Sequence, residues 1–198
     1  PLSSSSAASD VYKRQLLYSS IMAQGVFEGE FYNPTKNLGI GIIKVNTEKI
    51  NYYKDINNKK KFSESIYTPK EVIPIFFKPD YGIFFLICLE EQQLYYKVLS
   101  ANNEVFYVDK SSVIFLSWEK FLKGTTGISN LDWNTNPLHR KPTETSVNSR
   151  IRDKEAIFEV KEVKKDWIQI KNEENPAEKG WIKWRKEDKL LIELYLLM

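Results

Sequence analysis

Two stretches near the C-terminus constrain the fold of this chain most. Asp166-Trp-Ile-Gln-Ile-Lys171 and Gly180-Trp-Ile-Lys-Trp184 each alternate apolar and polar residues with period two. That is the pattern of a half-buried strand. The polar stretch between them, 172–179, holds Asn175-Pro176, a pair that favours a turn. Together they predict an antiparallel hairpin carrying Trp167, Trp181 and Trp184. Trp181 and Trp184 are three residues apart, so a regular strand sends one inward and leaves the other at the surface. An exposed indole beside a groove can stack on a peptide or a sugar, which makes these tryptophans candidates for binding. The alternative, that all three fill the core, has the greater weight, because a small domain of roughly 60 residues buries little surface and leans on large side chains.

The same period runs through most of the chain. Phe27, Gly29 and Phe31 alternate with Glu28 and Glu30, and strands are expected at 39–45, 50–54, 83–89, 94–98 and 105–108. The last two flank 101–104 as a second hairpin. The segment 72–77 contains Pro74 and reads as an edge or irregular strand. The spacing then turns helical at Phe115, Trp118, Phe121 and Leu122, with Ser117 as N-cap and Gly124 as stop. A short helix over 118–123 is predicted, docked by its aromatic stripe. Residues 124–130 have linker composition. Aromatics make up 14% of the 198 residues, and Tyr, Phe, Trp and Ile at this density favour strands. The expected class is all-β.

Charge and residue counts remove several functions. Residues 24–132 carry 13 basic and 13 acidic side chains, and 133–198 carry 14 and 12. Neither half has the concentrated positive field that nucleic-acid binding uses, and Lys59-Lys60-Lys61 beside Asn57-Asn58 reads as a solvated turn. Cys88 sits inside an apolar run, where a thiol acts as a small hydrophobe. The one histidine, His139, falls in the other half of the chain, so no Cys–His nucleophile pair is expected. One Cys and one His cannot make a four-ligand zinc site. Glu90-Glu91 and Glu173-Glu174 fall in expected turns and read as solvated charge. No enzyme, metal or cofactor is expected.

Residues 1–15 read as a non-native leader and are set apart from the fold. Residues 16–24 have a short apolar core with Ala23 before Gln24, the pattern of the end of a secretory signal. The mature chain is therefore expected to begin near Gln24 and to be exported. No other segment reaches the ~20 consecutive apolar residues of a membrane span.

The hairpin resembles the signature of bacterial Src-homology-3-like (SH3b) domains, a "gWykV" strand followed by a turn and a "GWV" strand. The likeness covers roughly 136–196: Leu138, Arg140 or Lys141, and Pro142 match the family's opening, and 157–163 takes the place of the strand before the hairpin. A weak internal repeat pairs 95–98 and 106–108 with 167–170 and 181–182, and 50–55 with 136–141. The resemblance implies two small SH3-like barrels with a short helix after the first: a divergent one at 24–124, a linker at 125–133, and a second at 134–198. It also implies non-catalytic binding in the cell envelope, with cell-wall peptide or an envelope protein as partner. Trp167, Trp181, Trp184, His139 and Arg140 are the candidate ligand contacts. A structural or protein-interaction module without a small ligand is the alternative.

Overall fold

The computed structural model describes residues 37–146 and 155–196. The leader, the signal-like segment and the strand expected near 27–31 lie outside the described residues. The chain is all-β, with one short α-helix among the described residues.

The first sheet holds β1 (Gly41–Val45), β2 (Lys49–Tyr53), β3 (Lys61–Ser65), β4 (Phe76–Lys78), β5 (Ile83–Glu91), β6 (Tyr95–Leu99), β7 (Val105–Asp109) and β8 (Val113–Ser117). Its order is β3-β2-β7-β6-β5-β1-β8, and β4 pairs with β5 as well. The short, Pro-containing approach at 72–77 contributes only β4, since Pro74 has no N–H to give a ladder. Strand β5 is buried from Ile83 to Cys88 because both its faces are covered. Phe84, Leu86 and Cys88 pack into one apolar cluster, and Ile83, Phe85 and Ile87 into another.

Helix α1 spans Trp118–Lys123, as the sequence predicts. The Lys120 N–H donates to Ser117 Oγ at 3.2 Å, Gly124 ends the helix, and Lys123 pairs with Glu119 at 2.8 Å one turn back. The second sheet follows, with β9 (Gly127–Asn130), β10 (Phe158–Lys164), β11 (Trp167–Asn172), β12 (Lys179–Lys183) and β15 (Ile192–Tyr195) in the order β12-β11-β10-β9-β15. A small hairpin of β13 (Arg185–Lys186) and β14 (Lys189–Leu190) interrupts it. One expectation needs correction here: the linker at 125–133 contains β9. Gly, Ser, Thr and Asn favour loops locally, but Ile128 is fully buried and pairs with Phe158 on one side and Leu194 on the other. Tertiary pairing overrides the local preference.

Both sheets follow one path. In chain order β1, β2, β5, β6, β7 and β8 are connected as are β9, the His139 bridge, β10, β11, β12 and β15. Each long strand carries a bulge at the matching place, between Cys88 and Glu90 and between Val160 and Glu162. The register aligns Tyr95 with Trp167, Tyr107 with Trp181 and Tyr53 with His139. Even the edge-to-face ring contact recurs, Tyr53 on Tyr95 at 5.2 Å and His139 on Trp167 at 5.0 Å.

The sheets share a core. One apolar cluster contains Ile42, Phe85, Phe121 and Leu122 together with Ile128, Phe158, Ile168, Ile182 and Trp184. Helix α1 lies at the junction, and its Trp118 meets Trp184 at 5.0 Å between ring centroids.

Candidate functional site

The tryptophan hairpin forms in the expected register, with Trp167 opposite Lys183 and Gln169 opposite Trp181. Its turn is held by Asn172, whose Oδ1 accepts the N–H groups of Glu174 and Asn175. The edge of β12 is lined by 136–139. His139 and Trp181 exchange two backbone hydrogen bonds of 2.7 Å. The Asn136 side-chain amide continues the ladder, donating to the Lys183 carbonyl at 2.8 Å and accepting from its N–H at 3.1 Å. Gly180 allows this approach: a methyl group there would lie 2.6 Å from the His139 carbonyl oxygen.

Trp181 and Trp184 do take opposite faces of the strand, but neither stays at the surface. Both are buried, at 5% and 2% exposure. Alternation carries through to Trp184, which joins Ile182 on the core side, while Trp181 on the outer face is covered by its neighbours. The Trp184 N–H donates to the Asp166 carbonyl at 2.9 Å and its indole N–H to the Lys165 carbonyl at 2.7 Å. That places Trp184 in the shared core. Trp181 packs on the opposite face of the sheet from Ile168 and Ile182, with the Lys164 ammonium 5.1 Å from its ring.

Trp167, Trp181 and His139 thus come together on the outer face of the second sheet. Trp167 is half-buried, and Lys183 stands 5.3 Å from its ring while pairing with Glu144. The hydrogen bond from Lys183 holds the Glu144 carboxyl below the usual range. His139 is buried, with Nδ1 3.1 Å from the Ser146 carbonyl oxygen. Arg140 is exposed and stands apart from the cluster's ring contacts. Each ring in this cluster is occupied by a neighbour, so the face is packed rather than open.

An open groove lies elsewhere, between the sheets, with a volume of about 380 Å³. Trp118 and Trp184 lie beneath it, at 6% and 2% exposure, and Gly39 and Ile40 line it from the first sheet. Gly39 has φ +54°, and a side chain there would strike the Cys88 carbonyl. Ile40 is 47% exposed, an apolar side chain standing at the mouth. Val163, Lys165, Arg185 and Glu119 of α1 complete the lining, so cationic and anionic side chains both border the groove. The volume falls at the low end of the ~300–1,000 Å³ of small-ligand sites. Sequence reasoning singled out Trp184 but not Trp118, Lys165, Glu119 or Arg185. The helical spacing around Trp118 gave packing as its meaning, and nothing local places helix α1 against the hairpin.

Cys88 is fully buried, and desolvation pushes its thiol up to about 12, the reverse of what a thiolate nucleophile needs. Among the described residues no group of three or more His, Cys, Asp or Glu could hold a metal ion. A second cleft, of about 320 Å³, is lined by Asp132, Trp133, Glu193 and Tyr195. There the Asn134 N–H and the Thr135 hydroxyl hold the Asp132 carboxyl below its ordinary range, closing a local turn. Among the described residues no helix is long and apolar enough to cross a membrane.

No family model matches the chain, and no curated protein matches it. Two solved structures are similar to it, those of NlpC1 and NlpC2 from Trichomonas vaginalis. The identities are 11% and 10%, each with a TM-score of 0.32. The matches cover 80% and 79% of this chain and 49% and 48% of those proteins, so the chain spans about half their length.

Proposed function

We propose that this chain is a non-catalytic binding module of the bacterial cell envelope, exported, with cell-wall peptide as its ligand. The proposal includes the likeness of both halves to SH3-like domains. The observation that carries it is the groove between the sheets, lined by exposed Ile40 and by the charged side chains of Lys165, Arg185 and Glu119 over two largely buried indoles. A short peptide bearing both a carboxylate and an amine matches that mixture of charges, and its methyl groups match Ile40 and Val163. The ligand contacts move accordingly from Trp167, Trp181 and His139 to the groove. The packing of all three against neighbouring side chains supports the alternative, a protein-interaction module without a small ligand.

Retention on purified cell-wall sacculi separates the two. The wild-type chain is expected to be retained, and Ile40→Asp, at an exposed position on the groove mouth, to lose at least about tenfold in apparent affinity. Absence of wild-type retention, or equal retention of a folded Ile40→Asp variant, refutes the wall-peptide reading.

A further inference from the structure

We infer that Arg185 is the specificity-determining residue of the groove and binds a terminal carboxylate of the peptide, an assignment that rests on the groove reading above. Three features fix its guanidinium before any ligand arrives. Its Cζ lies 4.8 Å from the Trp184 ring centroid, stacked over the indole. Its Nε donates to Asp166 Oδ1 at 2.6 Å, which sets the plane of the fork. Its side chain is 31% exposed at the groove wall, neither sunk in the core nor free in solvent.

Asp166 takes only the Nε edge. The two terminal nitrogens, Nη1 and Nη2, have no partner among the described residues, and together they present the end-on fork that fits a carboxylate with two parallel hydrogen bonds. Holding a long side chain by stacking and by one anchoring hydrogen bond removes much of the ordering cost that a free surface arginine carries. Lys165 also lines the groove and adds a second positive charge, so Asp166 does not neutralise the site. Lys165 sits at φ +54° in the two-residue connection from β10 to β11. Asn or Gly is the usual residue for that conformation, and a lysine there adds charge to the wall. Glu119, which also lines the groove, is the anionic group for the ligand's amine.

Titration calorimetry of the full chain tests the assignment with two probes, the tetrapeptide L-Ala-D-Glu-L-Lys-D-Ala as free acid and as C-terminal carboxamide. All other charges are common to the two. Wild type is expected to bind the free acid about tenfold tighter, the scale of one charge-assisted pair of hydrogen bonds. Arg185→Gln is expected to bind both probes equally, near the wild-type affinity for the carboxamide. Arg185→Lys keeps the charge but loses the fork, and its preference is expected to fall to about threefold. Equal binding of the two probes by wild type overturns the role of Arg185 and leaves the groove reading standing. So does a preference that survives in a folded Arg185→Gln variant. Binding of neither probe overturns both.

Discussion

The contact between Trp118 and Trp184 should make the two sheets unfold as one unit. The two side chains are 6% and 2% exposed, their rings meet at 5.0 Å, and each indole N–H is anchored to a backbone carbonyl: Trp118 to Leu38 at 2.8 Å, Trp184 to Lys165 at 2.7 Å. Truncating a buried tryptophan to alanine costs about 3–5 kcal/mol from lost transfer energy and the residual cavity. For a chain of this size that corresponds to roughly 6–20 °C in Tm. The double variant Trp118→Ala/Trp184→Ala should cost less than the sum of the singles by about 0.5–1.5 kcal/mol, the range for paired aromatic rings. Urea unfolding followed by far-UV circular dichroism measures all four species without relying on the fluorescence of the residues removed. Each curve should show one transition. A biphasic curve in Trp184→Ala, with the first sheet melting where it does in wild type, would refute the shared core. So would additivity of the two substitutions within about 0.3 kcal/mol.

Two further outcomes follow from buried polar groups. Burial raises Cys88 from 9.0 to about 12, and burial with nearby Glu64 raises Tyr52 from 10.0 to about 12. Both stay protonated in the folded chain while the unfolded chain releases those protons. Their contribution is therefore whole below pH 9 and is lost as pH rises to about 12, at up to about 1.4 kcal/mol per pH unit for each group. Urea midpoints measured from pH 8 to 11 should fall, and Cys88→Ala should flatten the part that begins at pH 9; a flat wild-type profile would contradict it. Asn136→Ala should cost about 2–3 kcal/mol in the same assay, because it leaves the Lys183 N–H and carbonyl without the partners that the amide supplies. An effect under about 0.5 kcal/mol would show that water replaces them.

Period two was enough to locate the hairpin, β5 and the β6–β7 pair, because each alternates or is buried on both faces and local pattern decides. Helix α1 was legible for a similar reason, since its cap, spacing and stop all lie within eight residues. The groove was not legible. It needs Trp118 and Trp184, 66 residues apart in sequence, to be brought together by the docking of α1 against the second sheet. The covering of Trp181 was equally hidden, as it depends on the bridge to His139 and on Lys164 over its ring. The strand β9 was misread because its fate is set by Phe158 and Leu194, distant in sequence. Local chemistry reports elements; the site depends on contacts between them.

The two matching sheets also explain why a glycine precedes Trp181. At the equivalent place in the first sheet stands Phe106, opposite Val98 as Gly180 is opposite Ile170. Phe106 is 1% exposed and meets Tyr52 edge-to-face at 5.2 Å. In the second sheet Leu138 occupies the position of Tyr52, and it fills the volume above Gly180: a methyl group on Gly180 would lie 2.8 Å from Leu138 Cγ. One half therefore packs two rings where the other packs a leucine over bare backbone. Gly180→Ala should then overpack the site and destabilise by about 1–3 kcal/mol. Leu138→Ala alone should cost about 2–5 kcal/mol through its cavity. In the double variant the new methyl enters space vacated by Leu138, so the total should be smaller than the sum. The relief cannot be complete, because the His139 carbonyl at 2.6 Å belongs to the backbone ladder and cannot retreat without breaking its bond to Trp181. Strict additivity would mean that the carbonyl alone imposes glycine. Full rescue would mean that side-chain packing alone does.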